Sequence, residues 1–258
     1  IRRAVRFASL GSGSRGNALV VESGNTRLLL DCGFGPRELQ LRLARLGLAV
    51  EDFSAILVTH EHGDHSAGVF KNARRHDIEV ILTHGTLAAI PRGRGDLPRL
   101  RVIDSHQSFS IGDLLVEPFP VPHDAREPVQ FVFSDGQHRL GVLTDTGHIT
   151  AHIVEMLGSC AALVLECNHD IGMLESGAYP RTLKQRISGR LGHLDNDMAA
   201  SLLTRLERSH LRHVVAAHLS EQNNTPQLAT AALAEALGCT PEWIGVATQE
   251  DGFAWRTL

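Results

Sequence analysis

Short apolar runs recur along the whole chain and are separated by polar or Gly-rich segments. Runs of about four to eight residues that are rich in Val, Ile and Leu are typical of buried strands. They predict strands at Val5–Ala8, Ala18–Glu22, Thr26–Asp31, Ala55–Thr59, Glu79–Thr83, Ala161–Glu166 and His213–Ala217, with further strand patterns in Ser108–Val121, Val129–Ser134 and Arg139–Thr144. Asp-Gly pairs at 135–136 and 251–252 predict hairpins, the second one between Ile244–Thr248 and Phe253–Arg256.

The helical spacing of apolar residues predicts the other elements. Helices are expected at Pro36–Leu46, from about His65 to His76, at Arg181–Ser188, at Asn196–Arg208 and from Thr225-Pro226 to Gly238. The last has a Thr that can cap its start, a Pro in its first turn and a Gly at its end. Strands and helices alternate in two comparable halves without a linker. This pattern predicts an α/β sandwich with outer helices, built as a single domain over 1–258.

A dense group of metal-binding side chains follows the apolar run 55–58. It reads His60-Glu61-His62-Gly63-Asp64-His65. His60 and His62 alternate as strand residues do, and Asp64 and His65 lie in the strand-to-helix turn, so all four can face one point. A polar loop that merely contains histidines is the other interpretation, and the density of the pattern disfavours it. Four ligands this close in sequence indicate two neighbouring ions.

Three further ligand-type residues come directly after apolar strand patterns, namely His123, Asp145 and His218. Loops at strand ends commonly carry functional residues. A carboxylate can bridge two cations, and imidazoles suit Zn, Mn or Fe. We therefore predict a site for two divalent ions, Zn or Mn with Fe possible, that activates a water to hydroxide as the nucleophile.

The order of these seven residues resembles that of the metallo-β-lactamase superfamily. The resemblance implies a four-layer αβ/βα sandwich, and it implies that Asp31, at the end of an early strand, supports a ligand from behind. By the same resemblance one ion is held by His60, His62 and His123, the other is held by Asp64, His65 and His218, and Asp145 bridges the two. Members that cleave lactams carry cysteine where Asp145 stands, so that activity is not expected here.

Four segments resemble the WalJ (YycJ) group of this superfamily more closely. They are Ala8–Asn17, Asn168-His169-Asp170, Gly192-His193-Leu194 and His218–Asn224. The group is similar to RNase Z and PhnP-type phosphodiesterases, and its members are regarded as exonucleases acting on DNA. The chain departs from the group at Cys167 and Asp195, where serine is usual. An added carboxylate near the site would repel a polyanion.

The favoured hypothesis is a dinuclear phosphodiesterase, an exonuclease with DNA rather than RNA as its substrate. A thioesterase or lactonase acting on a small metabolite is the alternative, and a metal-holding scaffold without activity is a third possibility. A histidine that is not a ligand can stabilise phosphoryl oxygens or protonate a leaving alkoxide. We expect catalytic roles for Asp64, His193 and His169, and phosphate contacts from Ser12, Asn17, Asn168, Arg181 and Lys184. Arg186 and Arg190 belong to the same basic cluster as Arg181 and Lys184 and are expected to contribute to the phosphate grip.

Composition limits the classes of partner. The net charge of −4 argues against a general polyanion binder, and aromatic residues make up only 5% of the chain. We therefore expect a nuclease that grips phosphates near its site rather than one that reads bases. The four cysteines are scattered, and neither a signal peptide nor an apolar stretch of membrane-spanning length is evident. These features predict a cytoplasmic protein that does not enter membranes.

Overall fold

Two mixed β-sheets of seven strands each form the centre of the structure, a computed structural model that describes residues 4–91, 96–97 and 99–258. The predicted single domain over 1–258 includes residues 1–3, 92–95 and 98, which lie outside the described residues. Within the described ranges, no helix is long and apolar enough to cross a membrane.

The first sheet contains the early strands and the last one. Its strands are β1 (Arg6–Gly11), β2 (Ala18–Ser23), β3 (Thr26–Leu30), β4 (Ala55–Leu57), β5 (Glu79–Thr83), β6 (Leu100–Ile103) and β14 (Phe253–Thr257). They are ordered β14-β1-β2-β3-β4-β5-β6. Strands β3 to β6 run parallel. The carboxyl ends of β3 and β4 therefore lie side by side, with Asp31 and Thr59 just beyond them.

The second sheet is built from the remaining strands. They are β7 (Phe109–Ile111), β8 (Leu114–Pro120), β9 (Val129–Ser134), β10 (Arg139–Leu143), β11 (Ala162–Glu166), β12 (His213–Ala217) and β13 (Gly245–Val246). They are ordered β13-β12-β11-β10-β9-β8-β7, and β10 to β13 run parallel. The carboxyl ends of β10, β11 and β12 consequently meet at one edge.

Nine helices are present in the described part of the chain. They are α1 (Pro36–Ala44), α2 (Gly63–Ser66), α3 (Val69–His76), α4 (His84–Ala89), α5 (Ala151–Leu157), α6 (Ile171–Ser176), α7 (Arg181–Ile187), α8 (Asn196–Arg205) and α9 (Pro226–Leu237). Short 3₁₀ turns occur at Val50–Asp52 and Pro241–Trp243. Thr225 caps α9 and Gly238 ends it in the left-handed conformation, as its sequence predicts.

Three apolar clusters hold four layers together. The central cluster contains inward side chains of both sheets, such as Phe7 and Phe131, so the sheets pack face to face. A second cluster joins the outer face of the first sheet to α1 and α3, for example through Leu39. A third joins the outer face of the second sheet to α8 and α9, for example through Leu202 and Leu233. This arrangement confirms the predicted αβ/βα sandwich.

Several predicted elements differ from the structure. The hairpin predicted around Asp251-Gly252 is wrong, because β13 pairs with β12 in the second sheet and β14 pairs with β1 in the first. The helix predicted from about His65 to His76 is two helices. The helix is interrupted at Gly68, whose N–H donates to the carbonyl of Cys32. A Cβ at this position would lie 1.8 Å from the Phe34 carbonyl oxygen, so glycine is required there. Helices α4, α5 and α6 and strand β6 are present although the sequence pattern did not predict them.

Candidate metal centre

Three residues of the site follow directly or closely after parallel strands and share an unusual backbone conformation. Asp31, Asp145 and His218 have φ values of 60°, 57° and 54°. Residues other than glycine rarely adopt this left-handed region, which costs about 1–3 kcal/mol and is found disproportionately at functional sites. Hydrogen bonds hold the backbone at two of these residues. Asp31 N–H donates to the Leu57 carbonyl, and His218 N–H donates to Ser12 Oγ at 2.9 Å.

Three histidines form the first group of predicted ligands. One nitrogen from each of His60, His62 and His123 lies within 4.8 Å of the other two. The Nδ1–H of His123 donates to the Gly192 carbonyl at 3.0 Å, and His60 Nδ1 lies 2.9 Å from Thr59 Oγ1. These contacts orient the rings and leave both Nε2 atoms available as ligands. His60 Nε2 is buried and makes no hydrogen bond to any described residue.

Asp64, His65 and His218 form the second group, again with ligand atoms within 4.8 Å of one another. Asp64 Oδ2 lies 3.4 Å from Nε2 of both histidines. Asp31 Oδ2 accepts a hydrogen bond from His65 Nδ1–H at 2.8 Å, and Asp31 Oδ1 accepts one from Thr59 N–H at 2.8 Å. The structure thus brings Asp31 behind a ligand, where the resemblance implies that it belongs.

Asp145 lies between the two groups. Its Oδ2 is 3.0 Å from His65 Nε2, and its Oδ1 is 3.6 Å from His218 Nε2. It also groups with His60 and His65. Oδ2 is buried and makes no hydrogen bond within the described residues, so only the imidazoles around it compensate its charge. Buried imidazole and carboxylate atoms that converge without hydrogen bonds suit a divalent metal site.

Burial and mutual charge shift the pKa values in this cluster. Burial, followed by neighbouring His65, lowers the pKa of His60. Burial also works against protonation of His218, but Asp145, Asp64 and Glu166 raise its pKa to about 10. Burial opposes ionisation of Asp145, yet His218 and His65 hold its pKa well below the usual range. The carboxylate is therefore ionised at neutral pH, as a metal ligand must be.

A buried carboxylate that the sequence analysis missed supports His193. Glu166 ends β11 and is fully buried, and its Oε1 accepts a hydrogen bond from His193 Nδ1–H at 2.7 Å. Its Oε2 accepts N–H bonds from Leu194 at 3.1 Å and Thr146 at 3.0 Å. Although burial opposes both charges, the pair holds the pKa of Glu166 down to about 2 and raises that of His193. An acidic residue at a strand end was the signal that could have found it.

Part of this cluster of side chains lines a cavity of about 350 Å³. His193 lines it, and because its Nδ1 faces Glu166, its Nε2 is left for the cavity. Arg186 contributes a cation, held with its Nε 2.6 Å from Asp124 Oδ2. Further lining residues include the ligand side chains His62, Asp64, Asp145 and His218, and the non-ligand residues Ser14, Asn168, Tyr179, Leu183, Ile187 and Ser220. The cavity can thus present a substrate to the ligand cluster and to a proton donor.

The residues predicted to contact phosphate lie in different environments. Asn168 lines the cavity, and its Nδ2 donates to the His218 carbonyl at 3.1 Å. Ser12 does not line it, because its hydroxyl lies beneath the backbone of His218. Asn17 also lies behind the ligands, with its Nδ2 3.3 Å from Asp64 Oδ2. Both therefore position ligands, and their placement does not favour the predicted contact with phosphate.

Only part of the predicted basic cluster lies at the cavity. Arg181 is exposed and does not line the cavity. Lys184 Nζ donates to the carbonyl of Glu175 at 2.7 Å and points away from it. Successive residues of a helix face different directions, so only part of this basic segment can reach the site. Arg186 is the member of the predicted basic cluster that lines the cavity.

His169 is the least supported of the predicted catalytic residues. It is 1% exposed, and it does not line the cavity. Its backbone forms a bridge to Asp195, and its Nδ1 makes no hydrogen bond in the described part of the chain. This placement does not favour direct contact with a substrate. Asp64 and His193, the other two, both line the cavity.

The two departures from the WalJ pattern lie outside the cavity lining. Asp195 caps α8, because its Oδ1 accepts the N–H of Met198 at 2.7 Å. Cys167 is fully buried among apolar residues of the second sheet and its helices. The carboxylate of Asp195 is therefore engaged at a helix end, a role that serine can also fill. It does not add the negative charge to the cavity that the sequence led us to expect.

Comparison with known proteins identifies the family. The sequence model of the β-lactamase superfamily domain matches residues 26–219, which include all seven predicted ligands. The chain belongs to this superfamily. It is 35% identical over 239 residues to the exodeoxyribonuclease YycJ of Bacillus anthracis, covering 90% of this chain and 89% of the relative. It is 31% identical over 245 residues to the exodeoxyribonuclease WalJ of Streptococcus pneumoniae, covering 93% and 91%. These matches confirm the resemblance to the WalJ (YycJ) group.

A solved structure supports the fold of this superfamily member. The zinc-bound PqqB of Methylobacterium extorquens aligns with a TM-score of 0.75 at 19% identity, covering 98% of this chain and 100% of that one. At this identity the likeness concerns the fold alone. The matched fold and the ligand groups together support divalent metal ions at the site.

Proposed function

We propose that this protein is a dinuclear metal-dependent hydrolase that cleaves phosphodiester bonds, and that it acts as an exonuclease on DNA. The observation that carries the proposal is the clustering of seven predicted ligand side chains, four of which line the same cavity as His193. The relatives that match about nine-tenths of the chain are named exodeoxyribonucleases, and these names support DNA as the substrate. Scattered cysteines support a cytoplasmic location, which stays a prediction.

The ligand groups suggest how two ions would be shared. His60, His62 and His123 would hold one ion and Asp64, His65 and His218 the other, with Asp145 between them. Zn, Mn or Fe ions bound there would supply Lewis acidity and lower the pKa of a bound water toward about 7. Two buried atoms that make no hydrogen bond within the described residues, His60 Nε2 and Asp145 Oδ2, support this assignment.

The chain's own residues supply proton transfer and charge compensation. Glu166 fixes the tautomer of His193 by accepting from its Nδ1–H, so the opposite nitrogen can donate a proton to the leaving oxygen of the substrate. The raised pKa of His193 favours the protonated form that this step requires. Arg186, on the cavity lining, can contact a phosphate oxygen of the strand.

The test combines metal dependence with substrate choice. Single- and double-stranded DNA and RNA oligonucleotides, labelled at either end, are incubated with the purified protein in the presence of Mn²⁺ or Zn²⁺. We expect stepwise shortening of DNA from one end that stops when a chelator is added. Thioester and lactone substrates are tested in parallel, because hydrolysis of these alone would contradict the proposal and favour the alternative activity.

A pair of histidine variants tests the assigned proton donor. His193→Ala is expected to lower the cleavage rate about 100- to 10,000-fold, the usual range for removal of a general acid. His106→Ala removes an exposed histidine that does not line the cavity, and this variant should cleave at the wild-type rate. Equal activity of the two variants would contradict the role of His193.

A further inference from the structure

One part of the cavity lining is apolar, in contrast to the ligand cluster. Tyr179, Leu183 and Ile187 all line the cavity, and we call these three residues the apolar strip. Leu183 and Ile187 are four residues apart on one face of α7, and Tyr179 lies just before the start of that helix. The cavity therefore combines charged ligand side chains with an apolar strip.

Tyr179 gives the strip an aromatic ring that has no structural partner. It is the single tyrosine of the chain. It is half-buried, and within the described residues its ring pairs with no other aromatic ring and its hydroxyl makes no hydrogen bond. The residue is instead part of the cavity lining, where one side of it is open. The ring is therefore available to contact a molecule in the cavity.

The strip is held in a fixed relation to His193. The backbone N–H of His193 donates to the carbonyl of Ile187, the last residue of α7, at 2.8 Å. Arg186 ties the same helix to Asp124, next to the ligand His123, at 2.6 Å. A molecule seated against the strip would consequently be placed relative to both the proton donor and the ligand cluster.

We propose that the apolar strip receives the terminal nucleobase of an unpaired DNA end, with Tyr179 stacked on the base. This inference rests on the proposed exonuclease function. A nucleotide has a charged phosphate, which suits the ligand cluster, and a flat base, which suits an aromatic ring. Stacking on an aromatic side chain is tolerant of sequence, because every base has a π-face.

The size of the cavity supports an unpaired end. Its volume of about 350 Å³ lies near the lower limit of small-molecule sites, which span about 300–1,000 Å³. Such a space suits one nucleotide unit, whereas a paired base would bring the opposite strand with it. The strip thus assigns single-stranded or frayed ends as the substrate class.

The test compares two DNA ends in three variants. Tyr179→Ala is expected to lower kcat/KM about tenfold on an oligonucleotide with a normal terminal base. On the same oligonucleotide with an abasic terminal residue, the substitution should change nothing. Tyr179→Phe keeps the ring and should retain most of the activity. Trp243→Ala, which removes a 40% exposed aromatic ring elsewhere, serves as the matched control and should match the wild type on both ends. Equal loss on both ends, or no loss on either, would overturn the proposal.

A binding measurement separates this proposal from the exonuclease function. Calorimetry compares dAMP with 2-deoxyribose 5-phosphate on the metal-loaded protein. Tyr179→Ala should weaken dAMP about tenfold and leave the sugar phosphate unaffected. If the wild type cleaves no DNA but Tyr179→Ala still weakens the binding of dAMP alone, the exonuclease proposal fails and base binding stands. If both compounds bind the wild type equally and neither responds to the substitution, base binding is refuted.

Discussion

The Glu166→Gln substitution replaces one oxygen of a buried carboxylate by an amide nitrogen at nearly constant size. Glu166 accepts three hydrogen bonds, from His193 Nδ1–H at 2.7 Å, Leu194 N–H at 3.1 Å and Thr146 N–H at 3.0 Å. An amide has one accepting oxygen and one donating nitrogen. In either orientation the amide nitrogen must therefore face at least one donor that the carboxylate now satisfies.

The expected loss of activity follows from this mismatch between the amide and the hydrogen-bond donors around it. The loss of one charge-assisted bond, or one buried donor left unpaired, corresponds to about 2–3 kcal/mol. If that loss acts through His193 on the transition state, the rate falls roughly 30- to 150-fold. Glu175 is an exposed glutamate on α6, and Glu175→Gln should leave the rate unchanged.

The assay measures kcat on a labelled oligonucleotide for Glu166→Gln, His193→Ala and the double variant. Because Glu166 acts through His193, the double variant should be no slower than His193→Ala alone. Metal content and the far-UV circular dichroism spectrum report whether each variant keeps its ions and its fold. A Glu166→Gln enzyme that is folded, fully loaded with metal and within about threefold of the wild type would refute the reasoning, as would fully multiplicative losses in the double variant.

Three further outcomes are expected. Asp31→Asn replaces an acceptor of three hydrogen bonds, so metal affinity, measured by competition with a chelating dye, should weaken about 10- to 100-fold; unchanged affinity would contradict the supporting role. Gly33→Ala would place a Cβ 2.1 Å from the Asp64 carbonyl oxygen, so thermal unfolding should show that the free energy of unfolding falls by about 1–3 kcal/mol. In the control Gly35→Ala the added Cβ meets nothing within 4 Å, and this variant should unfold like the wild type. Burial lowers the pKa of His218, but Asp145 and other carboxylates raise it to about 10, so an ion must displace a proton there at neutral pH. Metal affinity should therefore rise with pH up to about 10, and calorimetry in buffers of different ionisation enthalpy should detect proton release; a pH-independent affinity would contradict this assignment.

Local sequence predicted most of the ligand cluster because its signals are local. The run from His60 to His65 is contiguous, and the ends of parallel strands meet at one edge of a sheet whatever the connections between them. The same rule brings Asp145 and His218 together across the second sheet. The four-layer architecture follows from strands and helices that alternate in both halves of the chain.

Glu166 and Arg186 illustrate what local sequence could not decide. Glu166 ends an apolar strand as a single acid, and only the position of His193 in space reveals its use. Arg186 is one of several cations on α7, and the register of that helix decides which of them reaches the cavity. Both roles depend on contacts between segments that lie distant in sequence.

The failed hairpin has a different cause. Asp251-Gly252 is a favourable turn, and an isolated bridge joins Thr248 to Gly252. The flanking strands nevertheless pair with β12 and β1, which belong to different sheets. A local turn signal fixes the direction of the chain, whereas the partner of each strand depends on which edge of a sheet is free.

Anomalous X-ray diffraction from crystals of the metal-loaded protein, recorded on both sides of the metal's absorption edge, tests the central claim most directly. We expect two peaks per chain about 3.5–4 Å apart. One should lie among His60, His62 and His123, and the other beside His218, with Asp145 between the two. A single peak, or two peaks of which neither contacts Asp145 or His218, would contradict the account.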